Sequence, residues 1–261
     1  MIKEVIYNPD YIETVHTLSG ISEQLLFTRE TDETTGKELV VLRIKADAII
    51  YTMKAPIEYF DFGSNVLAFF DFSKFYNLYR FSVTTNENRE LIAPTIRAEI
   101  DDDEQSMSNG EVTRLVIVSS RNGNNRTINH RTASSDVIEK PKFKNVKFQN
   151  NTNCTFDFNK EMLDTLKKMA SLNSADEIIF SGENDSLKVD FRSSKLMDTM
   201  NEVYKTNCEA NPFSLTVIAE GVQKIPSGDY TTEYMENGLI KFTQKRNDEI
   251  DLNLYLPRKK V

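Results

Sequence analysis

Hydrophobic residues recur along the chain with two different spacings, and these spacings predict the order of its elements. Runs in which apolar and polar residues alternate, or in which β-branched residues cluster, predict strands. In the first half these runs are SEQLLFTRE, ELVVLRIKA, DAIIYTM, IEYFDF, NVLAFFDF, LIAPTIRAEI, VTRLVIVSS and RTINHRT. In the second half they are CTFDF, EIIFSG, SLKVDFR, MNEVYKT, FSLTVIA, DYTTEY, LIKFTQK and IDLNLYLP.

Four short segments instead space their apolar residues three and four positions apart, which predicts helices. The first covers 8–19, where Asn8 is a suitable cap, Pro9 fits the first helical position and Gly20 follows the end. The others cover 73–81, 159–172 and a helical turn at 219–224. Because strands outnumber helices in both halves, the chain is expected to be an α+β protein of mostly antiparallel sheet.

A strand that runs directly into a helix occurs twice in the chain. AFFDFSKFYNLYRF, residues 68–81, is partly repeated by CTFDFNKEMLDTLKKM, residues 154–169. The letters Phe-Asp-Phe and a following Lys recur at a shift of 86 residues. This repeat predicts two similar domains, 1–131 and 149–261, joined by a polar linker at 132–148.

Helical wheels at about 100° per residue give the two repeated helices basic polar faces. The cations on these faces are Lys74, Arg80, Lys160, Lys167 and Lys168. Such residues often do no more than solubilise a surface helix. Matching basic faces in two domains also suit a single polyanionic partner. The residues alone leave both interpretations open.

The helix at 8–19 does not share this basic character. Its apolar face combines Tyr11, Ile12, Val15 and Leu18. Its polar face carries Asp10, Glu13 and His16. Either this helix supplies no positive charge to a polyanionic partner, or its true orientation is rotated from the one that the wheel gives.

Composition narrows the function further. A formal net charge of −8 argues against a protein that coats nucleic acid by bulk attraction. No apolar run is long enough to span a bilayer, and the start of the chain has no apolar signal core. Two cysteines are too few for a disulfide framework, so a location in the cytoplasm is expected.

The sequence offers few candidates for catalytic or metal-binding residues. The acids at 101–104 could be imagined as a metal site, but consecutive carboxylates in a polar loop point in different directions, so a solvated loop is expected. His16 and His130 lack a nucleophile or acid at a recognisable spacing and are expected on the surface. We expect a protein that is not an enzyme and that holds no metal or cofactor.

The segment 211–257 combines an apolar strand, a helical turn and a lysine with a proline, a glycine and an aromatic residue before the final strands. Those positions are held by Lys224, Pro226, Gly228 and Tyr230. This order resembles the end of the sliding clamps of T-even-type bacteriophages. The opening helix and the repeated strand-helix units fall in the corresponding places, so the resemblance covers nearly the whole chain.

The resemblance implies the sliding-clamp fold, with two similar domains of antiparallel sheet and short helices that line the inside of a ring. Three chains would close this ring around duplex DNA and hold a DNA polymerase on its template, after an ATP-driven loader has opened it. The residues implied to face DNA are Lys74, Arg80, Lys160, Lys167, Lys168 and Lys224. The alternative is a phage structural or assembly protein of two β-rich domains that does not encircle DNA.

The resemblance also implies a surface between the domains that binds the peptide tails of the polymerase and the loader. An apolar turn at the end of the last strand, next to the linker, suits such a surface. The residues expected there are Val137, Ile138, Pro141, Tyr255, Leu256 and Pro257.

Overall fold

The structure of the chain is a computed structural model. It describes residues 1–46, 48–103, 110–121, 124–138, 152–183, 185–195, 200–205, 212–235, 238–244 and 249–259. Two compact units divide the chain. The first unit comprises Met1–Ile44 and Met53–Pro141, and the second comprises Lys45–Thr52 and Lys142–Val261.

The described part of residues 1–138 contains two helices and eleven strands. The strands are β1 (Ile2–Tyr7), β2 (Leu25–Thr31), β3 (Glu38–Ala46), β4 (Ile49–Pro56), β5 (Phe60–Asp61), β6 (Val66–Phe69), β7 (Thr84–Thr85), β8 (Leu91–Ile92), β9 (Thr95–Ile100), β10 (Val112–Arg121) and β11 (Asn124–Arg131). The helices are α1 (Pro9–Ser19) and α2 (Phe72–Ser82), with 3-10 turns at Ile57–Tyr59 and Ser135–Val137. The boundary between the units falls at the end of β3 and within β4.

Eight strands and two helices follow in the described part of the second half. The strands are β12 (Thr152–Phe158), β13 (Glu177–Glu183), β14 (Ser186–Arg192), β15 (Met200–Lys205), β16 (Phe213–Ile218), β17 (Tyr230–Met235), β18 (Leu239–Gln244) and β19 (Asp251–Pro257). The helices are α3 (Lys160–Leu172) and α4 (Ala219–Gln223).

Among its described residues each unit contains two larger antiparallel sheets, and the first unit also contains the two-stranded sheet β7-β8. In the first unit one sheet has the order β11-β10-β9-β1-β5, and a second contains β3, β2 and β6 side by side. In the second unit the orders are β15-β14-β13-β16 and β12-β17-β18-β19. One pattern, a strand followed by a helix and three more strands, organises both units. In the first unit this pattern begins at β1 and again at β6, and in the second unit it begins at β12 and again at β16. The short strands β5, β7 and β8 are extra elements that interrupt it in the first unit.

Aromatic side chains fill the core of the first unit beneath its helices. Phe27 on β2 contacts Phe60 and Phe69 edge to face, with ring centroids 5.2 and 5.9 Å apart. Phe69 in turn contacts Phe72 and Phe75 of α2 at 5.0 Å. All five rings are completely buried. Burial of this apolar area is the main force that holds α2 on the sheets.

The structure confirms the four predicted helices and the antiparallel α+β class. It also adds strand β1, which the pattern did not predict, and divides IEYFDF between a 3-10 turn, Ile57–Tyr59, and the short strand β5. Cys154 on β12 is disulfide-bonded. A reducing cytoplasm does not favour such a bond, so that location stays a prediction. No helix in the described ranges is both long and apolar enough to cross a membrane.

Candidate nucleic-acid interface

Helix α2 carries two exposed cations on one side. Its start is capped by Asp71, whose carboxylate accepts a hydrogen bond from the backbone N–H of Lys74 at 2.7 Å. Its buried residues are Phe72, Phe75, Tyr79 and Ser82. Lys74 and Arg80 lie on the opposite, exposed side, as the helical wheel predicts.

Helix α3 is fixed at its start by two side chains. Asn159 accepts a hydrogen bond from the N–H of Met162 at 2.9 Å, and Asp229 accepts one from the N–H of Lys160 at 2.8 Å. Leu163, Leu166 and Ala170 are buried against the unit. Lys160 and Lys168 are exposed, so two of the three predicted cations of α3 face solvent.

The two helices correspond through their caps, and this changes the register of the repeat. Asp71 caps α2 and Asn159 caps α3, a separation of 88 residues rather than the 86 of the repeated letters. The cap register places Arg80 and Lys168 at equivalent positions, each nine residues after its cap. Phe70, the first residue of the repeated Phe-Asp-Phe, is 63% exposed, whereas Phe156, which stands 86 residues later, is buried. An alignment of the two units by the repeated letters is therefore shifted by two residues from an alignment by the helix caps.

The side chain of Lys167 bonds to a backbone carbonyl group of the protein and does not project freely into solvent. Its Nζ donates a hydrogen bond to the carbonyl oxygen of Ile225, just after α4. Gln223 of α4 donates to the carbonyl of Lys167 at 2.7 Å and to the hydroxyl of Ser171 at 3.1 Å. Burial lowers the pKa of Lys167, and the nearby carboxylate of Asp164 opposes this shift. These bonds join α3 to α4.

Lys224 and Arg80 each pair with a carboxylate. Lys224 Nζ lies 2.7 Å from Glu220 Oε1, one helical turn earlier. Arg80 Nη1 lies 3.2 Å from Glu13 Oε1 on α1. Both pairs are partly exposed and weaken the positive charge that a polyanion would meet.

The structure confirms the predicted faces of α1. Its buried residues are Tyr11, Ile12, Val15, Leu18 and Ser19. Glu13 lies on the other side, where it meets α2. An acidic helix thus packs beside the basic face of the first unit.

Three of the six predicted cations remain exposed and outside any ion pair within the described residues, namely Lys74, Lys160 and Lys168. Two of these belong to α3 and one belongs to α2. Phosphate oxygens are the natural partners of such lysines, because a point charge on a flexible stem binds phosphate without demanding a fixed orientation.

The residues expected to bind partner peptides have different degrees of exposure. Val137 is 62% exposed, whereas Ile138 is buried and packs with Leu26 and Ala68. Pro141 lies outside the described residues.

In the second unit, the apolar turn at the end of β19 is mostly internal. Tyr255 and Leu256 are buried, and Pro257 is partly exposed. Among the described residues of this set, Val137 of the first unit and Pro257 of the second keep exposed surface, and the peptide surface stays a prediction.

Two sheet edges are features that the sequence pattern did not single out. Strand β11 ends one sheet of the first unit and β15 ends one sheet of the second. Beside β11, the Arg126 guanidinium lies 4.3 Å from the centre of the Phe81 ring, which is 64% exposed. Val203 on β15 is 61% exposed. Exposed apolar side chains beside unpaired strand edges favour pairing with another chain.

The expectation that His130 lies on the surface is wrong. Its ring is buried between Phe69 and Phe75, with ring centroids at 5.9 and 5.6 Å. Burial lowers its pKa, and the charge of Lys74 adds to this effect. Across the part of the chain that the structure describes, no group of three or more His, Cys, Asp or Glu side chains could hold a metal ion.

The fold is similar to solved structures of sliding clamps along the whole chain. A PCNA from Thermococcus kodakaraensis has a TM-score of 0.65 and 10% identity over 99% of this chain and 100% of that one. The Helicobacter pylori beta clamp in complex with 5-chloroisatin has a TM-score of 0.67 and 10% identity over 100% of this chain and 67% of the clamp. A PCNA2–PCNA3 complex from Sulfolobus tokodaii has a TM-score of 0.61 and 13% identity over 99% of each chain.

No protein-family model and no curated protein matches the sequence. At identities this low, similarity of structure establishes the architecture. The chain has the sliding-clamp fold, with mostly antiparallel sheets and a few short helices.

Proposed function

We propose that the protein is a sliding clamp that encircles duplex DNA and tethers a replicative DNA polymerase for processive synthesis. The observation that carries this proposal is the fourfold strand-helix unit, which matches clamp structures over 99% or more of the chain. On this proposal the protein is not an enzyme, and its hold on DNA comes from encirclement more than from contacts. The resemblance of the sequence to T-even-type phage clamps supports a viral origin and an ATP-driven loader.

The exposed lysines support loose contact with the DNA backbone. Lys74, Lys160 and Lys168 would meet phosphates without reading bases, since a clamp must move along any sequence. The net charge of −8 keeps the rest of the molecule from binding DNA on the wrong face.

Closure of the ring is assigned to β11 and β15. Three chains would join head to tail, with β11 of one chain paired to β15 of the next. Phe81 beside β11 and Val203 on β15 would then be covered by the neighbouring subunit. Such a heterologous contact closes when each step rotates by a third of a turn.

Peptide tails of the polymerase and the loader are proposed to bind near Val137 and Pro257, with Pro141 close in sequence. Val137 provides the most exposed apolar side chain of this set. This assignment rests on the family resemblance and on the exposure of these two residues.

The first experiment measures the mass of the native protein in solution together with low-resolution scattering. Three copies and a central hole are expected, and a strict monomer at high concentration would rule out the ring. The double variant Phe81→Gln/Val203→Gln should dissociate the trimer. The matched control Ile2→Gln/Ile6→Gln, which also removes two exposed apolar side chains, should leave it intact.

The second experiment loads the protein on nicked circular DNA and on the same DNA made linear. A clamp stays on the circle and slides off the ends of the linear molecule. Equal loss from both would exclude topological linkage and favour the alternative of a phage structural or assembly protein. The variant Lys160→Gln/Lys168→Gln should weaken salt-dependent DNA contact, whereas the control Lys37→Gln/Lys54→Gln, made on exposed lysines outside the helices, should not.

A further inference from the structure

The carboxylate of Glu13 is occupied on both of its oxygens by residues of α2. Oε1 accepts a hydrogen bond from Arg80 Nη1 at 3.2 Å, and Oε2 accepts one from the hydroxyl of Tyr76. A carboxylate held by two donors is more restricted than one in an ordinary surface ion pair. Arg80 is consequently directed toward α1.

The ring of Tyr76 has a second partner on α1. The ring of His16 stacks on the ring of Tyr76, with centroids 3.7 Å apart and planes 8° from parallel. The hydroxyl of Ser19 lies 3.4 Å from His16 Nδ1. Burial and the neighbouring Glu13 raise the pKa of the Tyr76 hydroxyl, so it remains a donor at neutral pH.

The cation at the equivalent position in the second unit is Lys168. Arg80 and Lys168 both lie nine residues after their helix caps. Lys168 is exposed and has no ion pair among the described residues. Within their helical bounds, α1 and α2 together carry two acids and two cations, and α3 and α4 together carry three acids and three lysines. The helices of the two units therefore differ in which cation is paired and not in total charge.

We infer that Glu13 is a positioning residue that withholds Arg80 from the DNA backbone, so that the two units contact phosphate unequally. This inference rests on the proposed function and concerns how strongly each unit contacts phosphate through the same DNA-facing surface. The ligand class is the phosphodiester backbone of duplex DNA, which carries no hydrogen-bond donor that could satisfy Glu13. Arg80 would have to give up its bond to Glu13 before it could bind a phosphate.

A double-mutant cycle on Glu13 and Arg80 tests the inference. The readout is the affinity for a short blunt duplex, measured by fluorescence anisotropy over a range of salt concentrations. Glu13→Gln keeps the shape and removes the charge, so it should tighten binding by about two- to fivefold, the range expected when a surface ion pair is released. The slope of log K against log salt should also steepen, because another phosphate contact forms.

The gain from Glu13→Gln should vanish in an Arg80→Gln background, because no cation is left to release. Arg80→Gln alone should weaken binding less than Lys168→Gln at the equivalent position. Tyr76→Phe, which removes one of the donors that hold Glu13, should tighten binding by a smaller factor and gives an independent test.

Two results would overturn the inference. One is a gain from Glu13→Gln that persists without Arg80, which would reflect only the loss of a negative charge. The other is a loss from Arg80→Gln as large as the loss from Lys168→Gln. Failure of the proposed function is seen separately, as a monomeric mass or equal loss from circular and linear DNA with the unsubstituted protein.

Discussion

Lys167 and Lys168 are adjacent in sequence, yet the structure predicts opposite consequences when each is changed to methionine. Lys167→Met keeps the length of the side chain but removes the ammonium group that donates to the carbonyl of Ile225. Lys168→Met removes an exposed cation with no ion pair in the described part of the chain. The first change should lower stability, and the second should lower affinity for DNA.

The size of the first effect follows from the bond and its burial. A hydrogen bond from a charged donor contributes about 1.5–3 kcal/mol to stability. Lys167 is only half-buried, and methionine avoids the cost of removing a charge from water, so the lower part of this range applies. We expect Lys167→Met to reduce the free energy of unfolding by about 1–2 kcal/mol, whereas an exposed substitution such as Lys168→Met stays within about 0.5 kcal/mol.

Urea denaturation followed by circular dichroism measures the first quantity, and anisotropy with a short duplex measures the second. The denaturation midpoint of Lys167→Met should fall with little change in slope, because the same surface is exposed on unfolding. An unchanged midpoint combined with a loss of DNA affinity equal to that of Lys168→Met would refute this reasoning. Lys167 would then be a DNA contact, and its bond to Ile225 would be unimportant.

Three further predictions concern buried groups. Burial holds the pKa of His130 below 6.5, so the unfolded chain binds the proton more readily. The free energy of unfolding should therefore fall as the pH drops from 7 to 5. In urea titrations, His130→Gln should make the free energy of unfolding less dependent on pH over this range. Burial raises the pKa of Tyr204 and of Tyr255 to about 12, so the unfolded chain loses these protons at a lower pH than the folded protein does. The free energy of unfolding should therefore fall between pH 10 and 12, and it should fall less steeply in Tyr204→Phe. Gly221→Ala would place its methyl carbon 2.6 Å from the carbonyl oxygen of Ala48, and thermal or urea unfolding should show a loss of about 1–3 kcal/mol.

The sequence was sufficient where structure depends on local periodicity. In α1, the four residues that the wheel placed on one side, Tyr11, Ile12, Val15 and Leu18, are all buried. The direction of a side chain on a helix is set by the helix itself, so no information from distant residues is needed.

Other predictions failed because they depended on contacts far along the chain. The wheel gave Lys167 a solvent position, yet its side chain reaches Ile225, which is 58 residues away in sequence. Leu172, an apolar residue at the last position of α3, is 66% exposed. Both residues lie where a helix borders another element or ends, and there the neighbouring backbone decides burial.

Strand β1 was missed for a related physical reason. Its apolar residues Ile2 and Ile6 are 65% and 59% exposed, and Val5 is buried. A strand whose large apolar side chains mostly face outward has no regular alternation to detect. It is held instead by backbone pairing with β9 and β5, which depends on residues far along the chain.

The pairing of Arg80 with Glu13 bears on how a clamp can remain mobile. Each lysine or arginine that binds a phosphate must release it whenever the protein moves along the duplex, so every added contact raises the barrier to sliding. In the proposed ring, three units would offer the two lysines of α3, and the other three would offer only Lys74. The arginine that could equalise them is held by an acid of the same chain, so on this proposal contact with phosphate would be weaker at the first unit of each chain than at the second.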